Sequence, residues 1–108
     1  LGVTRLRVHR RPRVVVLSSG DEILPIQEKP PPGKVRDANA YLVAAQVAAG
    51  SGLPLLADII PDNFQALRTA LSDALAEADL ILISGDKNHR ILQCAGWASK
   101  TFPFQKTA

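Results

Sequence analysis

Apolar positions along this chain fall into two alternating patterns, short continuous runs and longer stretches with helical spacing. Arg13–Ser19 (RVVVLSS) is a β-branched run that stops at Gly20 and predicts a buried strand. Gly20–Arg36 carries Pro25, Pro30, Pro31, Pro32 and Gly33. Three consecutive prolines exclude a helix or a central strand, so the segment predicts a loop with an extended portion. Asp37 is placed to cap the alanine-rich helix Ala38–Ala49, which Gly50 ends. Leu53–Ile60 (LPLLADII) predicts a second strand with Pro54 at its start. Along Asn63–Ala78, Phe64, Leu67, Leu71, Leu75 and Ala78 recur at steps of three and four and predict one apolar helix face. Asp62 and Gln65 stand at capping-box spacing before that helix. Asp79–Ser84 (DLILIS) predicts a third strand that stops at Gly85.

The order strand, helix, strand, helix, strand implies right-handed crossovers and parallel pairing. The expected fold is therefore α/β: a three-layer, open, mostly parallel sheet with helices on both faces. The strands are apolar on both sides, as a covered parallel sheet requires.

The length of 108 residues suits one small domain. An apolar fraction of 46% with a net charge of only +3 excludes global disorder. The longest strongly apolar runs, Val14–Leu17 and Leu80–Ile83, fall far short of the ~20 residues a bilayer needs, so no membrane span is expected. Leu1–Arg13 has arginines but no apolar core of a signal peptide. Residues 1–12 read as a basic lead-in from a preceding domain. The single cysteine, Cys94, cannot form an internal disulfide, reads as a small apolar filler, and makes the cytoplasm the default compartment.

Charge is unevenly placed. Leu1–Arg13 and Lys87–Ala108 carry only cations, whereas all ten acids lie within Val14–Asp86. Basic ends on an acidic body, with one Trp, one Tyr and three Phe, make a poor nucleic-acid reader. The ends read as solvated flanks, and no nucleic-acid partner is expected.

Ligands of open parallel sheets bind beyond the carboxyl ends of the strands, near the switch point. Three segments should meet there: Ser18-Ser19-Gly20-Asp21-Glu22, Ile60-Pro61-Asp62 and Ser84-Gly85-Asp86. Asp37, at a helix start, should open onto the same edge. Carboxylates beside hydroxyls suit a magnesium-bridged phosphate ligand, with helix-start N–H groups at Asp37 and Asp62 offered to the phosphate. Each acid also has a plainer role: Asp37 and Asp62 as helix caps, Asp21-Glu22 as a solvated turn. The usual nucleotide-binding loops are absent. His9 and His89 lie in the flanks, away from the strand ends, so neither a zinc site nor a His-based triad is expected.

Four motifs then carry a resemblance. Arg10–Ile23 ends in S-S-G-D-E-I. Pro32–Asn39 reads P-G-K-V-R-D-A-N, Ile59–Asn63 reads I-I-P-D-N, and Ala78–Gly85 reads A-D-L-I-L-I-S-G. In order and spacing they resemble the molybdopterin molybdenumtransferase family, of the gephyrin E-domain type. That resemblance implies a partial molybdopterin-binding domain over residues 13–86, incomplete at its C-terminus. It implies Mg²⁺-dependent insertion of molybdate into adenylylated molybdopterin, and a homodimer for the full-length protein. It further implies that Glu22 and Asp62 are catalytic and hold the metal. Ser18, Ser19, Gly20, Asp21, Asp37, Asn39, Ser84 and Gly85 match the substrate-binding positions. Ser19 keeps a hydroxyl where the family has Thr, while Asn63 and Ala38 lose an acid and a hydroxyl.

At Asp86 the chain leaves the family's G-V-S-x-G-x-Y-D loop, and residues 87–108 form a divergent tail with only a faint echo at Trp97, Lys100, Pro103 and Phe104. The site should therefore lack one wall and one carboxylate, and this chain alone should insert molybdenum weakly or not at all. Two other functions fit the same residues. One is a non-catalytic pterin-binding or molybdopterin adenylyltransferase-like domain. The other is a protein-interaction module, for which Pro30-Pro31-Pro32 is a ligand or merely a stiff loop.

Overall fold

The computed structural model describes residues 2–85. The elements are β1 (Arg13–Ser18), β2 (Ile23–Leu24), β3 (Val35–Arg36), α1 (Ala38–Ala49), β4 (Leu53–Leu56), α2 (Phe64–Glu77) and β5 (Leu80–Ser84). Asp86, His89, Cys94, Trp97 and the tail 87–108 lie outside the described residues.

The main sheet has the order β4-β1-β5, and both pairings are parallel. β1 is central: Val16 pairs with Leu56 on one side and Leu82 on the other. The chain leaves β1 toward β4, then returns past it to β5. Right-handed crossovers in opposite directions place α1 and α2 on opposite faces. This is the expected α/β architecture, with a switch point between β1 and β5.

Alternation along β1 explains its burial on both sides. Val15 and Leu17 join Ile60, Leu67 and Ala74 in the core under α2. Val14 and Val16, equally buried, point to the other face, where α1 packs. The packed face of α2 differs from the expected one. Leu67 and Ala74 are buried, with Ala66, Ala70, Leu71 and Ala78 beside them, while Phe64 and Leu75 are exposed. Ala66, Ala70, Ala74 and Ala78 face the sheet with Leu67 and Leu71, which leaves Phe64 and Leu75 on the outward side.

Helix α1 is capped as expected: the Ala40 N–H donates to Asp37 Oδ1 at 3.2 Å. Its end departs from expectation. Gly50 is not in the left-handed region; Ser51 is, with φ of +67°. The Ser51 N–H donates to Ala48 O and the Gly52 N–H to Val47 O, a Schellman closure with serine at the position glycine usually fills. Gly52 is the glycine that packing requires, because a Cβ there would lie 2.7 Å from Val47 Cγ1.

Two further corrections concern the loops. The Gly20–Arg36 segment holds a small parallel pair, Ile23–Leu24 against Val35–Arg36, that turn residues alone did not reveal. The second strand stops at Leu56 rather than Ile60, and pairing resumes only as an isolated bridge between Ser19 and Ile60.

Residues 2–12 form an exposed arm with no regular structure, largely the solvated flank the charges suggested. Arg10 is the exception. Its guanidinium makes a two-pronged ion pair with Asp79, at 2.7 and 2.6 Å. Asp79 also accepts from the Arg13 N–H at 2.8 Å and returns its own N–H to Arg13 O. The ion pair and hydrogen bonds hold the Asp79 carboxyl below its usual range, first through Arg10 and then through the Arg13 backbone. Among the described residues, no helix is long and apolar enough to cross a membrane.

Candidate functional site

The carboxyl ends of β1 and β5 lie side by side. Ser18 pairs with Ser84, and their hydroxyl oxygens are 3.3 Å apart. The Ser19 N–H donates to Ser84 O at 2.9 Å, and the Gly20 N–H to Ile60 O at 3.1 Å. These bonds tie the first loop to both neighbouring strand ends. Ser18, Ser19 and Gly20 are buried, whereas Gly85 is exposed.

Beyond Gly20 the first and second loops lock together. The Asp21 N–H donates to Asp62 Oδ2 at 3.2 Å, and the Asp62 N–H donates to Asp21 Oδ1 at 3.0 Å. Ser19 Oγ adds a long 3.5 Å hydrogen bond to Asp62 Oδ1. Asp62 is thus not the cap of α2, as the capping-box spacing suggested. Asn63 is: its side chain accepts from the Gln65 and Ala66 N–H groups. Asp62 is released from capping and faces the first loop.

Gly20 has a φ of +152°, and a Cβ there would lie 2.9 Å from Glu22 Oε1. The bare Cα therefore gives the Glu22 carboxylate its place against the loop. Asp37 is buried and occupied as the α1 cap, while its N–H donates to Leu24 O. The N–H groups of Asp37 and Asp62 are therefore both engaged, and the expectation that they are free for a phosphate does not hold. Asn39 is exposed on the first turn of α1.

A cleft of about 610 Å³ runs between the first loop, α1 and the segment after β4. Gly20, Asp21 and Asp37 line it, with Ile26, Tyr41 and Asp58. The last two were not singled out from the sequence. The run Leu53–Ile60 predicts Asp58 inside a strand, but β4 ends two residues earlier, so Asp58 lies in the loop beyond its carboxyl end.

Residues 15–85 match the family described as a probable molybdopterin binding domain. The chain belongs to that molybdopterin-binding domain family. A molybdopterin molybdenumtransferase from Nostoc sp. is 40% identical over 81 residues, which is 75% of this chain and 19% of that protein. Two crystal structures of a molybdopterin biosynthesis MoeA protein from Pyrococcus horikoshii are similar to the chain. One superposes with a TM-score of 0.69 at 24% identity, over 79% of this chain and 21% of that one, and speaks for the fold. The other gives 0.62 at 28% identity, over 75% and 22%. The chain therefore spans about a fifth of the length of these relatives. The match ends at the strand-end residues Ser84 and Gly85, so the molybdopterin-binding domain family accounts for the part of the chain that builds the β1–β5 edge.

The donor set also limits what metal the edge fits. Among the described residues, no three His, Cys, Asp or Glu side chains converge as a metal cage. Mg²⁺ commonly takes only one or two carboxylates and fills the rest of its shell with water and substrate oxygens. Exposed acids at one edge, Asp21 and Asp62 joined through their backbone N–H groups and Glu22 against Gly20, fit that habit and do not fit a closed protein site.

Proposed function

We propose that this chain is the molybdopterin-binding part of a molybdenumtransferase that acts in molybdenum cofactor biosynthesis. The observation that carries the reading is the Asp21–Asp62 lock beside the joined ends of β1 and β5. It sits at the switch point of a parallel sheet, where such folds bind ligands.

Glu22 and Asp62 would hold Mg²⁺, with Asp21 adjoining. The metal would supply charge neutralisation for a substrate phosphate at an otherwise acidic edge. The chain's own groups do the rest. Ser19, Gly20 and Asp21 form the loop that the phosphate approaches. Ser18 and Ser84, hydroxyl to hydroxyl, fix the floor of that loop, with Gly85 at its exposed rim. Asp37 fixes the start of α1, and Asn39 presents an amide from the first turn. The substrates on this reading are adenylylated molybdopterin and molybdate.

The test is Mg²⁺-dependent hydrolysis of adenylylated molybdopterin. A complete transferase carrying this domain should lose activity in Glu22→Ala and in Asp62→Ala. Unchanged rates in both variants remove the assignment. The 108-residue chain alone should show little or no turnover.

A further inference from the structure

The 610 Å³ cleft has a mixed apolar and acidic lining. Ile26, Tyr41 and Leu56 are among its lining residues and remain 40%, 46% and 47% exposed. These are large side chains facing an unfilled space of a size ordinary for small-molecule sites. Tyr41 follows Asp37 and Ala40 at helical spacing, so one face of α1 turns to the cleft. Asp58, two residues past Leu56 in the loop after β4, lines the same cleft. Among the described residues its carboxylate has no hydrogen-bond or ionic partner.

An aromatic ring and a carboxylate that line one cleft suit a flat heterocycle with two adjacent N–H donors. The 2-amino-4-oxopyrimidine edge of a pterin has that pattern in its N3–H and 2-amino groups. A carboxylate accepts both at once, and charge-assisted pairs of this kind are the strong ones. We propose that Asp58 and Tyr41 are the specificity-determining residues for the pterin ring. Asp58 accepts from N3–H and the 2-amino group, and Tyr41 stacks on the ring. The inference rests on the pterin-binding reading above and assigns the ring end of the ligand. Asp21 and Asp62 remain at the phosphate end.

The experiment is fluorescence titration of the 108-residue chain with two probes, 2-amino-4-oxopteridine and lumazine. Lumazine carries a carbonyl oxygen where the pterin has its amino group and so sets an acceptor against the carboxylate. The wild type should bind the pterin roughly tenfold or more tightly than lumazine. Asp58→Asn, which replaces one acceptor by a donor, should remove most of that preference. Tyr41→Ala should weaken both probes by about fivefold. Unfolding midpoints check that both variants fold. Equal binding of the two probes by the wild type, or an unchanged preference in Asp58→Asn, overturns this assignment and leaves the pterin-binding reading standing. Failure of the wild type to bind either probe also overturns this assignment, whereas the reading of the phosphate end stands or falls with Mg²⁺-dependent binding of molybdopterin itself.

Discussion

Asp21 and Asp62 each donate a backbone N–H to the other's carboxylate, at 3.2 and 3.0 Å, across 41 residues of sequence. The first strand-end loop is thereby fastened to the second. The bonds are exposed, so each stabilises about as much as an ordinary neutral hydrogen bond rather than one to a buried charge. Asp62→Ala should destabilise the chain by about 1 kcal/mol. It should also speed hydrogen exchange at the Asp21 amide, while amides in the middle of β1 keep their protection. Denaturant unfolding and exchange mass spectrometry read the two effects.

Asn63, one residue later, has a separable task. Its side chain accepts from the Gln65 and Ala66 N–H groups at 2.8 and 3.3 Å. Asn63→Ala should cost about 1 kcal/mol through the loss of the α2 cap. Asn63→Asp keeps the acceptor and should be close to neutral. Equal losses in the two variants, measured by urea unfolding, would show that the side-chain oxygen is not the cap.

Ser51 occupies the left-handed position that closes α1, with φ of +67°. A side chain there carries a steric cost that glycine avoids. Ser51→Gly should stabilise by about 0.5–1 kcal/mol, seen as a higher midpoint in thermal or urea unfolding. Gly52→Ala should do the opposite, since its Cβ would meet Val47 at 2.7 Å.

Asp79 links stability to pH. Its carboxyl is held below the usual carboxylate range, first by the Arg10 hydrogen bond and then by the Arg13 N–H. A carboxyl with a depressed folded-state pKa contributes stability above its unfolded pKa, and that stability is lost as pH falls through the folded value. Asp79→Asn should therefore be less stable than wild type at pH 7. The gap should narrow on acidification below about pH 4. Thermal midpoints of both chains from pH 7 to pH 2 give the comparison. Arg10→Ala should shift the narrowing toward higher pH.

The strand–helix order was readable because each element announces itself locally. β1 is a β-branched run closed by Gly20, and α1 begins at a capping Asp37. The edge that gathers Ser18, Asp21, Asp62 and Ser84 followed from topology, since parallel strands put their carboxyl ends together. What was not legible depends on packing. The spacing of Asp62 and Gln65 fits a capping box, yet Asn63 wins the cap because its backbone is extended, with φ of −143° and ψ of 126°. The two-residue pair of β2 and β3 is too short to leave a periodic signal. The orientation of α2 was misread because leucine spacing outweighed the alanines that touch the sheet. Tyr41 and Asp58 became visible only when the end of β4 at Leu56 opened the cleft beside them.

On the proposed function the Asp21–Asp62 edge receives the phosphate of molybdopterin through Mg²⁺. Anaerobic calorimetric titration of the 108-residue chain with molybdopterin, with Mg²⁺ and then with EDTA, tests it most directly. Mg²⁺ should tighten binding roughly tenfold or more, and folded Asp62→Ala should lose most of that gain. Binding of equal strength in EDTA, together with an Asp62→Ala variant that binds as the wild type does, would contradict the account.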